Sequence, residues 1–213
     1  MIRLWGRETS SNVQCVRWAL EELGLAYERI DVGENFGGLD TPEYLAKNPM
    51  GKIPVIEDGD MVLFESAAIL RYLARTYGDD GFWPADPARR SRADMWAEWA
   101  KHEIAELFTL PIFWRVVRTP VDRQDPTAIA QSVEAFEASL AVANDRLATR
   151  TWLAGDAMTP GDFHLGHVLF RYFDTGVAAR DLPHLRAYYD RLTSRPAYQR
   201  AVMVPYDILR DTI

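Results

Sequence analysis

The stretch PVIEDGDMVLFESAAILRYLARTYG, Pro54 to Gly78, packs two short β-patterned runs and a helix into 25 residues. PVIED and MVLF are joined through Asp58-Gly59, a pair suited to the positive φ of a tight hairpin. From Ser66 to Tyr77 apolar residues recur at helical spacing, and Gly78 is a stop signal. Toward the N-terminus, YERIDV reads as a strand, and Thr41-Pro42 as an N-cap with a first-turn proline for a short helix ending near Asn48. IRLW (Ile2 to Trp5) reads as a first strand. Between these two strands Val13, Val16, Leu20 and Leu23 keep helical spacing up to Gly24. The order predicted for residues 1–78 is β-α-β-α-β-β-α.

Beyond Gly78 the pattern changes. GDDGFWPADP has linker composition, and nothing after it reads as a strand. Asp86-Pro87, Asp125-Pro126 and Thr159-Pro160 each place a capping residue before a first-turn proline and a long helical pattern; Leu182-Pro183 and Arg195-Pro196 open two shorter helices. The expectation is an α/β unit over residues 1–78 and an all-helical unit over 88–213. Among 213 residues, 48% are hydrophobic and 26% charged, the composition of a folded globular chain. A net charge of −7 without a basic cluster argues against nucleic acid and anionic membranes as partners. No apolar run approaches the ~18 residues of a membrane span, and no signal-peptide pattern is present. One cysteine, Cys15, excludes an internal disulfide framework and fits a reducing, cytoplasmic setting.

The first helix is preceded by three hydroxyls, in GRETSSNVQCV (Gly6 to Val16). With Ser11 as N-cap, Gln14 falls at the third helical position and completes a capping box. That assignment leaves Ser10 one residue outside the helix, where free N–H groups and the positive end of the dipole favour an anion. Ser10 is then either a solvated loop serine or a group that faces a ligand.

The β-α-β-α-β-β-α order matches the thioredoxin fold, whose redox members carry C-x-x-C at this helix start, a slot without cysteine here. SSNVQCVRWALEELGLAYE, NPMGKIPVIEDGD and LFESAAILRYLARTYG resemble the N-terminal domain of the cytosolic glutathione transferases. The following helical unit with WLAGDAMTPGDFHLG extends the resemblance to the whole chain. What the resemblance implies is a glutathione transferase that activates the thiolate of glutathione against a small hydrophobic electrophile, as a homodimer and without a metal. Ser10 aligns with the serine of the phi, theta and zeta classes that donates to the glutathione sulfur, and Asn12 with an asparagine that also approaches it. Ile53 and Pro54 belong to the family's cis-proline turn, after which Val55 is expected to present its backbone to the cysteinyl unit. Glu65 and Ser66 match the pair that holds the γ-glutamyl end, with Lys52 reaching for the glycine carboxylate; Leu39 and Asp40 stand where many phi members have a basic residue. Two other readings stay open: a glutathione-dependent disulfide reductase or peroxidase, and a non-catalytic binding module.

Other residues carry weaker patterns. His164 and His167 lie three apart on a helix without a second ligand pair, which favours packing over a metal site. Cys15 lies between core positions and reads as a small buried hydrophobe. Trp96, Trp99, Phe108, Phe113 and Trp114 enrich one helix in aromatics, and Phe108 and Phe113 are the candidates for lining an electrophile pocket.

Overall fold

The computed structural model describes residues 1–213. Strands β1 (Ile2–Trp5), β2 (Tyr27–Ile30), β3 (Val55–Asp58) and β4 (Met61–Phe64) form one sheet in the order β2-β1-β3-β4. The β1–β2 pair is parallel and the other two are antiparallel. Gly59 takes φ +59° at the first central position of the β3–β4 hairpin, a conformation that glycine adopts at little cost. Helices α1 (Ser11–Glu22), α2 (Pro42–Leu45) and α3 (Ser66–Tyr77) complete the expected order. Helix α2 stops three residues before Asn48. Pro49 disfavours helical backbone at the residue before it, and one further turn closes through Asn48 N–H to the Tyr44 carbonyl at 2.9 Å.

The remainder is helical: α4 (Pro87–Trp99), α5 (Ala105–Phe108), α6 (Pro126–Leu147), α7 (Pro160–Asp174), α8 (Pro183–Thr193) and α9 (Pro196–Ala201). Asp86 and Asp125 cap α4 and α6 by accepting from the N–H groups of Arg89 and Ala128. The run after Pro87 is not uniform α-helix, however. It widens into π-helical turns at Ala100–Ile104 and again at Thr109–Arg118. Pro111 has no N–H to give an i−4 carbonyl, so a regular ladder cannot continue through the second of these segments.

The two units share one hydrophobic core, which runs from Ile2 and Leu4 on β1 through Trp18 on α1 to Phe163 on α7 and Tyr198 on α9. Trp18 lies 4.4 Å from the Phe163 ring and 4.8 Å from Tyr198. A Cβ on Gly166 of α7 would come within 2.7 Å of the Trp18 ring, so the closeness of α1 and α7 depends on that glycine. The packing sets the N-terminus of α1 and the widened end of α4 on the same side of the sheet unit, where the candidate residues meet.

Candidate active site

Helix α1 begins at Ser11, so Ser10, with φ −79° and ψ 123°, is the N-cap. The expected Ser11–Gln14 box does not form. Gln14 is fully buried, with its side-chain oxygen facing Arg171 at 3.5 Å, and tertiary packing has drawn it away from the reciprocal bond. Ser10 holds the helix start through its backbone only: its N–H donates to the Arg7 carbonyl and its own carbonyl accepts from Gln14 N–H at 2.9 Å. Its hydroxyl caps nothing. A nearly buried hydroxyl is thus left at the positive end of a 12-residue helix with its donor unused.

Across the site, Glu65 and Ser66 open α3. Glu65 takes φ +68°, costly for a non-glycine residue, and is exposed; Ser66 is buried. Strain of this kind collects where a side chain is held for a ligand. The Ser66 hydroxyl donates to Asn12 Oδ1 at 3.1 Å, and Lys101 Nζ donates to both, at 3.0 Å each. An ammonium can be accepted only by the amide oxygen, so the contact orients the Asn12 amide and leaves its Nδ2 donor free. Lys101 comes from the first π turn after α4 and has no carboxylate partner. It lies 35 residues from Ser66 and 89 from Asn12, and no local pattern announces it.

The Ile53–Pro54 bond is cis. Val55 sits inside the sheet, opposite Trp5 on one side and Phe64 on the other. The free main-chain groups belong instead to Ile53, two residues before the pairing begins, whose N–H and C=O find no partner in the chain. The side chain of Lys52 is exposed and unpaired, while its carbonyl accepts from Tyr44 and Asn48, which anchors the turn. Beside it, Glu34, Leu39, Asp40 and Met50 line a cavity of about 340 Å³.

Phe108 and Phe113 are each 2% exposed, packed on one another, on Phe136 and on Tyr206. They form the floor behind the site, not an open wall. The Arg171 guanidinium lies 4.4 Å from the Phe113 ring and donates to the Thr9 carbonyl at 2.6 Å, so α7 fixes the backbone next to Ser10. Arg171 lies in the last turn of α7, where a cation is unremarkable, and the sequence offers no signal for its role.

Cys15 joins His164 and His167 beneath this layer, with Cys15 Sγ 3.6 Å from His164 Nδ1 and all three side chains buried. The His164–His167 pair thus has a third ligand-type neighbour. Burial pushes the Cys15 thiol up to about 12 and His167 down to about 3, and holds His164 well below its ordinary range. An unfolded histidine titrates near 6.5, so below that pH the unfolded chain takes up a proton that folded His167 refuses, and stability falls as pH falls. At pH 5 His167 alone should cost roughly 2 kcal/mol relative to pH 7. Denaturation midpoints at the two pH values, for the parent and His167→Gln, check this; comparing the variants cancels the opposite-signed contribution of Asp162, which burial raises to about 6. Identical pH dependence in both proteins contradicts it.

The chain resembles known proteins along almost its whole length. The family model for the glutathione S-transferase N-terminal domain matches residues 1–75, and that for the C-terminal domain matches residues 103–196. Glutathione S-transferase GstB of Escherichia coli K12 is 39% identical over 207 residues, covering 96% of this chain and 99% of that protein. A probable glutathione S-transferase, GSTF1 of Oryza sativa subsp. japonica, is 32% identical and covers 96% and 97%. Among solved structures, the theta class glutathione S-transferase of Xanthomonas axonopodis pv. citri with glutathione bound superposes with TM-score 0.90 at 44% identity, covering 96% of this chain and 98% of that one. With both domain models matched and full-length relatives above 30% identity, the chain belongs to the glutathione S-transferase family.

Proposed function

We propose that the chain binds glutathione across the N-termini of α1 and α3 and activates its thiol for attack on an electrophile. The observation that carries this reading is the unused Ser10 hydroxyl at the start of α1, two residues before Asn12, which is bonded to Ser66 at the start of α3. Each part of the tripeptide finds its chemical complement. A carboxylate suits the N-terminus of α3, the Ser66 hydroxyl and the Lys101 ammonium; an ammonium suits Glu65. The unpaired N–H and C=O of Ile53 suit one peptide unit, as a single added strand residue. That leaves the thiol toward Ser10 and the free amide of Asn12, with Lys52 available to the glycine end.

The energetics suffice without a metal at the sulfur. A thiol of pKa roughly 8.5 is only ~3% ionised at pH 7, and lowering it by about 2 units takes ~2.7 kcal/mol. A hydrogen bond to a charged acceptor contributes ~1.5 to 3 kcal/mol and a helix N-terminus ~0.3 to 1. Thiolate gained this way is less nucleophilic, with a Brønsted coefficient of about 0.4 to 0.5, so net activation is only a few-fold. Most of the acceleration then comes from holding the electrophile beside the sulfur, as the C–S bond forms and the leaving group departs.

Calorimetric titration tests the binding half. Glu65→Ala should weaken glutathione at least tenfold, by removing the charged partner of the ammonium. Unchanged affinity would move the γ-glutamyl end elsewhere and favour a module that does not use this site.

A homodimer is part of the same reading. Met61 and Val62 on the edge strand β4 and Met95 on α4 are exposed, and Arg71 of α3 ties β4's neighbouring helix to α4 through Asp94 and Glu98. Such an apolar face suits a second copy. Light scattering at micromolar concentration should give twice the chain mass; a monomer mass refutes it.

A further inference from the structure

Helices α1 and α7 meet at three buried side chains for which the proposed transferase chemistry has no use. Cys15 on α1 is 0% exposed, and His164 and His167 on α7 are 1% and 2% exposed. A spacing of three puts the two imidazoles on one face of α7. Gly166 lets that helix come close to α1, and one ligand-type atom from each of the three residues lies within 4.8 Å of the others.

The hydrogen bonds around the trio leave lone pairs over. His167 Nδ1 lies 2.9 Å from the Phe163 carbonyl, which can only accept, so Nδ1 carries the proton and Nε2 the lone pair. An imidazole held in this way by a backbone carbonyl is the usual arrangement of a metal ligand. His164 Nδ1 lies 3.6 Å from Cys15 Sγ, while its Nε2 is buried without a partner. With Nδ1–H turned to the sulfur, that Nε2 is an unsatisfied lone pair in a dry interior, which is rare in folded proteins. Two imidazole lone pairs and a sulfur are thus gathered with only the thiol proton among them.

The donor set and the local charge select the cation. Calcium and magnesium take oxygen ligands, and none of the three residues offers one. Zinc takes four ligands and would set two positive charges against one thiolate. The field of the Lys101 ammonium reaches all three groups, so an unbalanced charge buried beside it would be costly. A cuprous ion favours soft thiolate, also accepts imidazole, is content with a three-ligand shell and carries a single charge that the thiolate cancels.

We propose that Cys15, His164 and His167 bind one cuprous ion, through the sulfur and the two open imidazole nitrogens, and that the ion clamps α1 to α7. Copper enters as Cu⁺ and the thiol proton leaves to solvent. No electron is transferred, and the net charge of the site does not change. Ser10 lies at the start of the clamped helix, so the ion also stiffens the frame of the candidate glutathione site.

Anaerobic titration of the untagged, metal-free protein with Cu⁺, against the coloured chelator bicinchoninate and without glutathione, measures uptake. One ion per chain should be withdrawn from the chelator. Cys15→Ser should weaken that binding by about 100-fold or more, and His167→Gln by about tenfold or more. Loading should raise the thermal midpoint of the parent by roughly 5 °C and leave that of Cys15→Ser unchanged. X-ray absorption at the copper edge of the loaded parent should show one sulfur and two imidazole nitrogens, a readout that needs no variant to fold. Equal uptake by Cys15→Ser, or a copper shell of thioethers or oxygens, overturns the site. Stoichiometric uptake of Zn²⁺ with none of Cu⁺ overturns the cuprous assignment.

Discussion

Asp162→Ala should destabilise the protein by about 3 to 5 kcal/mol, a large share of the roughly 5 to 15 kcal/mol that holds an ordinary domain folded. The carboxylate is fully buried and accepts four hydrogen bonds: from Thr159 N–H at 2.9 Å, Thr159 Oγ1 at 3.2 Å, Leu153 N–H at 3.0 Å and Tyr188 Oη at 3.0 Å. One residue thereby caps α7, ties down the loop before it and joins α8. Alanine would strand two backbone donors and two hydroxyls in a dry interior, at about 1 to 3 kcal/mol for each one that stays unsatisfied. Some will find water or rotate away, so the simple sum overstates the loss. Because α7 carries Arg171 and packs on Trp18, the site should loosen with it. Urea denaturation of the parent and variant measures the difference, and a loss below 1 kcal/mol would show that the network is not a keystone of the fold.

Ser10→Ala should leave the fold almost untouched and remove most of the activity. The hydroxyl makes no capping bond, so the helix loses nothing by its removal; Ser11, as the first helical residue, should be equally dispensable to stability. Losing ~1.5 to 3 kcal/mol of hydrogen bonding to a developing thiolate corresponds to roughly 10- to 150-fold in kcat/KM at neutral pH. The free Nδ2 of Asn12 can donate in its place, which puts the expected loss at the lower end and makes Ser10→Ala/Asn12→Ala worse than either single change. Full activity in Ser10→Ala with loss only in Asn12→Ala would transfer the role to the asparagine, the pattern of a disulfide reductase.

How far the sequence reaches is clear from the individual elements. Strand and helix order, the Gly59 hairpin and the starts of α4, α6 and α7 follow from hydrophobic period and from capping residues before prolines, signals that span a few residues and need no tertiary partner. Where the reading failed, long-range packing had outvoted a local rule. The Ser11–Gln14 box was locally sound, yet Gln14 is buried against Arg171, 157 residues away. Phe108 and Phe113 share a helical stretch with exposed residues, and only the packing of α6 and the C-terminal segment shows both to be interior. Val55 and Ile53 differ by which one the sheet has already paired. Lys101 and Arg171 were invisible because each is an ordinary helical cation until α3 and the Ser10 loop are brought against it.

In the proposed reaction, Ser10 lowers the pKa of a glutathione thiol bound at the start of α1. Ultraviolet thiolate absorbance of bound glutathione, followed against pH, measures that directly. The parent should show a thiol pKa about 2 units below the roughly 8.5 of a free cysteine, and Ser10→Ala should return it by one to two units. A bound thiol that titrates like the free one in the parent, or a depressed pKa that survives Ser10→Ala and Asn12→Ala together, would contradict it.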